Sequence, residues 1–428
     1  MKQLTKSEWY TEIYSWLIRI FIVLTFFFPM YYSSFKKHMY YIGLLWPYLF
    51  LLPIIGMIVF KHRKEKWQNK KMAIWLSCLT ILYAGFSYYV NKQYHHWMWE
   101  EIHNTIAFLF LIVILIYPQW KKDLNFDPVR YLLGCITLSM FCAIVFYRLG
   151  YAGLLLHNDQ IEMTRVSDMV KKYGETRLSW IYYHKSQFAL MQIVFLGFAY
   201  TYRMKFKNRI YYIFAQGIFI VCLILSHSWT ALAAAALLLC GVMIDRISCY
   251  LKEKKSKFSW KYIGIGFAII FALVLLAGCL FLQISRERNL LTLGSRIPIW
   301  KTGLQVIKEN PQGVGKAFGE NLIDCGLFLT NNCHNVFLNA VFRFSIPVGS
   351  LFILYMCSYF IYAVYKKHSF FGLGYIIAIL MMLCIDYSLL SYGVASFLLL
   401  VCLTMQPDNR EGMQHSQGES KKKTSSGA

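Results

Sequence analysis

The chain has 428 residues, of which 57% are hydrophobic, 18% aromatic and only 15% charged. So little charge cannot cover a soluble globule of this size, and the composition is that of a membrane protein. The net charge of +23 would suit nucleic acid. However, the basic residues are scattered along short segments beside apolar runs, where an anionic lipid membrane accounts for them, so nucleic acid is set aside as a partner.

A hydrocarbon core about 30 Å thick needs roughly 20 apolar residues per helix. Such runs fall at 13–30, 40–60, 72–90, 103–119, 130–149, 186–202, 210–226, 229–245, 261–284, 337–364, 370–386 and 389–405. They predict an all-α, polytopic protein of about 12 transmembrane helices, with a large loop between helices 9 and 10. Lys and Arg crowd into 61–71, 120–130, 203–209, 246–261, 365–367 and the tail, which places these segments and both termini on the cytoplasmic side. The loops 150–185 and 285–336 are then extracytoplasmic. The first span keeps Arg19 and has no small-residue cleavage site after it, so it reads as a retained anchor and not a signal peptide. Residues 1–405 form one transmembrane bundle including both outer loops, and the polar stretch 406–428 is a disordered cytoplasmic tail.

No repeat of 20–50 residues interrupts this plan. The twelve cysteines show no CxxC pairs or metal spacing and lie mostly inside spans, as small apolar residues. Cys325 and Cys333 share the 285–336 loop, where a disulfide and a reduced pair are both compatible with the sequence. Tyr and Trp gather at span ends as interfacial belts, and His95, His96 and His103, near the outer ends of spans three and four, read as solvated or interfacial. Asp386 lies near the outer end of span eleven. An acid in a membrane segment is a functional candidate by default, yet here it is close enough to the interface to be only solvated.

The loop before span ten carries the chemistry. Ile299, Leu304 and Ile307 recur at helical spacing, which predicts a short amphipathic helix on the membrane surface. The stretch ENPQGVGKAFGE then ends it, because Pro311 biases Asn310 away from the α region and Gly313 and Gly315 permit turns. Arg286, Arg288, Arg296, Lys301, Lys316 and His334 are thereby gathered on the outer face. Basic side chains able to hold a phosphate, with a histidine able to move a proton, stand at the depth of a lipid-linked phosphate. A solvated loop or contacts with lipid headgroups is the plainer alternative.

GSRIPIWKTGLQVIKENPQGVGKAFG followed by CHNVFLNAVFRFSIPVGSLFILY resembles the signature of the O-antigen ligase and Wzy-type polysaccharide polymerase superfamily. Arg296 and Trp300 precede the turn formed by Asn310, Pro311, Gly313 and Gly315, and His334 and Asn335 open the following span. RLSWIYYHKSQFAL (177–190) is similar to the family's arginine and His-x-Asn segment, and LSHSWTALAAAALLL (225–239) to its Ser-rich turn. The resemblance covers roughly 175–405. Three positions depart from it: Ser228-Trp229 replaces a common Ser-Arg, Ser186 or Gln187 stands near the usual Asn, and Ser345 stands where Gly is common.

The resemblance implies glycosyl transfer outside a bacterial plasma membrane, from a polyprenyl-pyrophosphate-linked oligosaccharide, with no cofactor and no metal. A polymerase passes the glycan to the next lipid-linked unit, whereas a ligase passes it to another acceptor. Other polysaccharide export proteins are the expected protein partners. His334 is the expected catalytic residue, binding or deprotonating the attacking hydroxyl, with Arg296 on the pyrophosphate. Arg177, Lys185 and His227 are candidates for the charge missing at Trp229, and His184, Arg288, Trp300 and Asn335 complete the candidate substrate contacts. Trp300 reads as an interfacial anchor ahead of a sugar platform, and Asn335 as a helix cap. Pro311, Gly313 and Gly315 read as loop formers. A transporter of lipid-linked sugars is the rival from another class, and it would show internal repeats or midplane charges.

Overall fold

The structure is a computed structural model that describes residues 6–29, 32–33, 40–94, 99–157, 160–174, 176–253, 294–315, 317, 322–324, 326, 329–389 and 393–406. The first half of the chain forms helices α1 (Lys6–Phe27), α2 (Tyr40–His62), α3 (Lys70–Tyr94), α4 (Trp99–Ile116) and α5 (Pro128–Arg148), with a short strand β1 (Tyr32–Ser33) after α1. Strands β2 (Tyr151–His157) and β3 (Gln160–Arg165) and helix α6 (Val166–Tyr173) follow, then α7 (Lys185–Thr201), α8 (Arg209–Leu225) and α9 (Trp229–Glu253). Beyond the ninth helix come α10 (Arg296–Glu309), β4 (Ile323–Asp324), β5 (Leu329–Thr330), α11 (Val336–Phe344), α12 (Ile346–Lys367), α13 (Phe370–Ile385) and α14 (Val394–Thr404).

The fold is mostly helical, and five described helices are long and apolar enough to cross a membrane. The protein is an integral membrane protein. Shorter apolar helices, α8, α13 and α14 among them, pack beside the long ones. Local chemistry sets the helix starts. Asp127 accepts from the main-chain N–H groups of Val129 and Arg130 to open α5, with Pro128 in its first turn. Close packing sets the crossings: where α9 meets α13, a Cβ on Gly374 would lie 2.9 Å from the Gly241 Cα, so bare backbones touch there as small residues allow in membranes.

Three expectations are corrected. First, the outer loop 150–185 is not free of strands, although the fold is mostly helical. β2 and β3 pair antiparallel and β1 joins β2 in parallel, so part of the 150–185 loop is a small sheet whose apolar run is too short to read as a span. Second, the tenth span, expected over 337–364, is two helices. Pro347 lacks the N–H that would continue α11 and would crowd the carbonyl of Arg343 four residues back, so the chain breaks at Ser345, with φ 125°, and α12 starts afresh with Ser345 Oγ capping Val348 N at 3.3 Å. Third, His103 is not solvated. It is fully buried and stacks on the Tyr48 ring at 4.1 Å.

The expected ninth span, 261–284, lies outside the described residues, as do His95, His96, Arg286, Arg288, Lys316, Cys325 and the tail beyond 406. Cys333 is buried and makes no disulfide among the described residues. The amphipathic helix expected near Ile299–Ile307 exists as α10, and its buried face is Ile299, Gly303 and Ile307, with Leu304 52% exposed. That face rests on protein: Ile299 and Ile307 join Val314, Ile323, Cys333 and Phe342 in a small core of their own.

Candidate active site

Arg296 is the first residue of α10, aimed by two consecutive left-handed residues, Gly294 (φ 64°) and Ser295 (φ 71°). Its Nε donates to the Ile385 carbonyl at 2.9 Å and one Nη to the Gly294 carbonyl at 3.4 Å. The other Nη stands 3.5 Å from Asp386 Oδ1. A cation thus sits on the negative end of α13, as the helix dipole favours, and fastens the outer helix to the bundle.

Asp386 follows α13 directly and is 6% exposed. The merely solvated alternative for this residue is therefore overturned. Burial alone would raise its carboxyl, but the facing His334 ring and the Arg296 guanidinium outweigh burial and hold it well below the usual carboxylate range. His334 Nδ1 lies 3.6 Å from Asp386 Oδ1, and the His334 side chain is 29% exposed. The loop that carries His334 is tightly specified. Cys333 N donates to Asn339 Oδ1 at 2.8 Å, His334 N to Asn332 Oδ1 at 3.0 Å, and His334 itself is left-handed at φ 46°. Asn335 caps α11 by accepting from Leu338 N at 2.9 Å and donates its Nδ2 to the Cys384 carbonyl at 2.7 Å. Both ends of that amide are engaged in joining α11 to α13.

A second segment closes on the first. Leu178 N donates to the Leu225 carbonyl at 3.0 Å, Thr176 Oγ1 and His227 Nε2 are 3.2 Å apart, and Lys185 Nζ donates to the His227 carbonyl at 3.0 Å. These bonds strap residues 176–185 to the turn between α8 and α9. His184 Nδ1 accepts from Ser186 N at 3.2 Å and so caps α7. Burial pushes the His184 imidazolium down to about 4, and the charges it feels come from Asp386, His334, Lys185 and Arg177. The two segments therefore share one electrostatic site of three cations around one carboxylate, an excess of positive charge.

The expected residues divide accordingly. Arg177, His184, Lys185, Arg296 and His334 come together with Asp386, while His227 lends its carbonyl to Lys185 and exposes its side chain at the rim. Trp300 packs against the small core under α10, its indole Nε1 buried without a partner among the described residues. Arg288 lies outside the described residues. Pro311 accepts from Ile346 N at 3.0 Å and Val314 N donates to the Phe342 carbonyl at 2.9 Å, so the turn docks on the break between α11 and α12. Gly313, at φ 81°, has no room for a side chain: a Cβ would lie 2.6 Å from Ser345 N and 2.7 Å from the Arg343 carbonyl. Gly315 is also left-handed, at φ 54°. Asp386 is the residue that sequence reasoning undervalued, and its signal was an acid at the end of an apolar run.

A helical membrane protein with a cationic, histidine-bearing site at one end of its bundle is the class these observations define. Residues 214–353, from α8 through the first turns of α12, match the family model Wzy_C, described as O-Antigen ligase. That stretch contains Arg296, the Pro311–Gly315 turn and His334, and the match agrees with the resemblance that these motifs carry. No curated protein matches the chain.

Proposed function

We propose that this protein is a polysaccharide polymerase. It moves a growing glycan from a polyprenyl-pyrophosphate carrier to a hydroxyl of the next lipid-linked unit, on the outer side of a bacterial plasma membrane. The observation that carries this reading is the pairing of His334 with buried Asp386 beside Arg296. Facing a carboxylate, Nδ1 is the ring nitrogen that carries the proton, which leaves Nε2 to take one from an attacking sugar hydroxyl. Asp386 also stabilises the imidazolium that results.

Breaking the anomeric C–O bond leaves negative charge on the pyrophosphate. Arg177, Lys185 and the outer edge of Arg296 supply charge-assisted donors for it, Lys185 and Arg296 being already held by their bonds to the His227 and Ile385 carbonyls. Arg296 also neutralises Asp386, so the carboxylate does not repel the leaving group. Ser186 and Gln187, at the start of α7, carry buried polar atoms without partners among the described residues, and hydroxyls of a sugar satisfy groups of that kind. Trp300, held in the core under α10, is assigned no sugar contact.

Purified protein incubated with lipid-linked repeat units is expected to give a ladder of longer glycans and free polyprenyl pyrophosphate. Products capped on a different acceptor would make the enzyme a ligase. Unchanged units crossing a bilayer would make it a transporter and end the proposal.

A further inference from the structure

Between α5 and α8, at the end of the bundle away from His334, runs a cavity of about 440 Å³. Leu133, Leu138, Phe141 and Phe214 form its apolar wall, and Arg130, Lys205 and Lys207 stand at its mouth. The Phe141 and Phe214 rings, 6.4 Å apart, close its deep end. Gly134 opens its middle, since a Cβ there would meet nothing within 4 Å. From Arg130 to Phe141 the helix rises about 16 Å, which matches one leaflet of a hydrocarbon core about 30 Å thick.

The charges at the mouth are not spent on one another. Asp127 engages Lys205 at 2.7 Å and Arg130 Nε donates to the Lys205 carbonyl at 3.3 Å. The Arg130 terminal nitrogens and the Lys207 ammonium have no partner among the described residues, and both residues are exposed. A slot one leaflet deep, apolar within and cationic at the headgroup level, matches an anionic lipid in both parts.

We propose that this groove is a binding site for one anionic glycerophospholipid, with an acyl chain along Gly134 and the phosphate between Arg130 and Lys207. It is remote from the His334 site and does not depend on the glycosyl-transfer reading.

The test uses the full-length protein in detergent, titrated with phosphatidylglycerol or phosphatidylcholine and read by native mass spectrometry. One phosphatidylglycerol is expected to bind about tenfold more tightly than phosphatidylcholine. In the double variant Arg130→Gln, Lys207→Gln that preference should vanish. Gly134→Leu should fill the slot and remove the tight lipid while the lipid-free melting temperature holds or rises, because Leu favours a helix more than Gly. Equal binding of both lipids to the wild type would overturn the proposal. So would tight phosphatidylglycerol binding in either variant, or its displacement by inorganic phosphate, which would reduce the site to a free-anion patch. Should Gly134→Leu prove unstable, the surface double variant still decides.

Discussion

Two histidines face aspartates at opposite ends of this bundle, and they are set up for different work. His62, which closes α2, has both ring nitrogens held: Nδ1 is 2.7 Å from Glu65 Oε1 and Nε2 is 2.5 Å from Asp123 Oδ2. Its side chain is 4% exposed, and Lys61 shares Asp123 at 2.7 Å. His334 meets one carboxylate through Nδ1, is 29% exposed, and has no partner at Nε2 among the described residues. A ring saturated on both sides ties elements together. A ring oriented on one side and open on the other can exchange a proton with a ligand.

The comparison breaks most sharply by substitution of each ring. His334→Ala should lower the rate of glycan transfer by about 10²–10⁴ while the protein still accumulates in the membrane. His62→Ala should do the reverse, lowering the melting temperature because Asp123 and Glu65 lose their common partner, with transfer by the folded fraction retained. Wild-type polymer from the His334 variant, measured at matched protein levels, would remove the proton-transfer role.

The carboxylates come next. Asp386→Asn keeps the shape but removes the charge that fixes the His334 tautomer, and the expected loss in rate is about tenfold to a hundredfold. A positioning role predicts that the loss falls on turnover more than on donor affinity and alters the pH–rate profile. An unchanged profile, with only donor binding weakened, would make Asp386 a mere partner of Arg296.

These contrasts also show what was legible in the residues. The apolar runs marked α1 to α5 and α7 to α9 closely, because each had to satisfy its own backbone in lipid and so could only be a helix. Pro311 and Gly313 announced the turn, since their backbone demands are local. The break at Ser345 was hidden, because hydropathy does not register that Pro347 ends one ladder and begins another. The hairpin β2–β3 was hidden because the apolar run within a seven-residue strand is too short for the span criterion. His334 and Arg296 stood out by family motif, but Asp386 did not. Whether an acid at a helix end is buried depends on what lies above it, and here that is α10, placed by contacts from 89 residues away in the chain.

The Gly313 turn gives a smaller effect that reaches the site from a distance. Gly313→Ala forces a side chain into a left-handed position and against the backbone of Arg343 and Ser345, costing about 2 kcal/mol or more. It should lower the melting temperature and loosen α10, with a fall in transfer that matches the fall in folded protein. Gly174→Ala makes the control, since Gly174 is also left-handed at φ 72° but its Cβ would meet nothing within 4 Å. If the two variants were equally stable, the docking of this turn on the α11–α12 break would carry no weight.

The finest distinction is between a histidine that works by being neutral and one that works by exchanging protons. Burial depresses His184 to about 4, against an ordinary value near 6.5. Between those values the unfolded chain binds a proton that the folded site refuses. The stabilisation is therefore complete above about pH 6.5 and is lost as the pH falls towards 4. It amounts to at most about 3 kcal/mol. Asp386, also depressed, acts in the same direction at lower pH: its contribution is present above the usual carboxylate value and lost on acidification through its folded value. His184→Asn keeps a side chain that caps α7 but removes the titration. Its melting temperature should fall less steeply than that of the wild type from pH 6.5 to 4, with the two curves meeting near pH 7. Parallel curves over that interval would mean that His184 charges freely in the folded protein, and the cationic excess assigned to the site would then have to be recounted with a protonated ring in it.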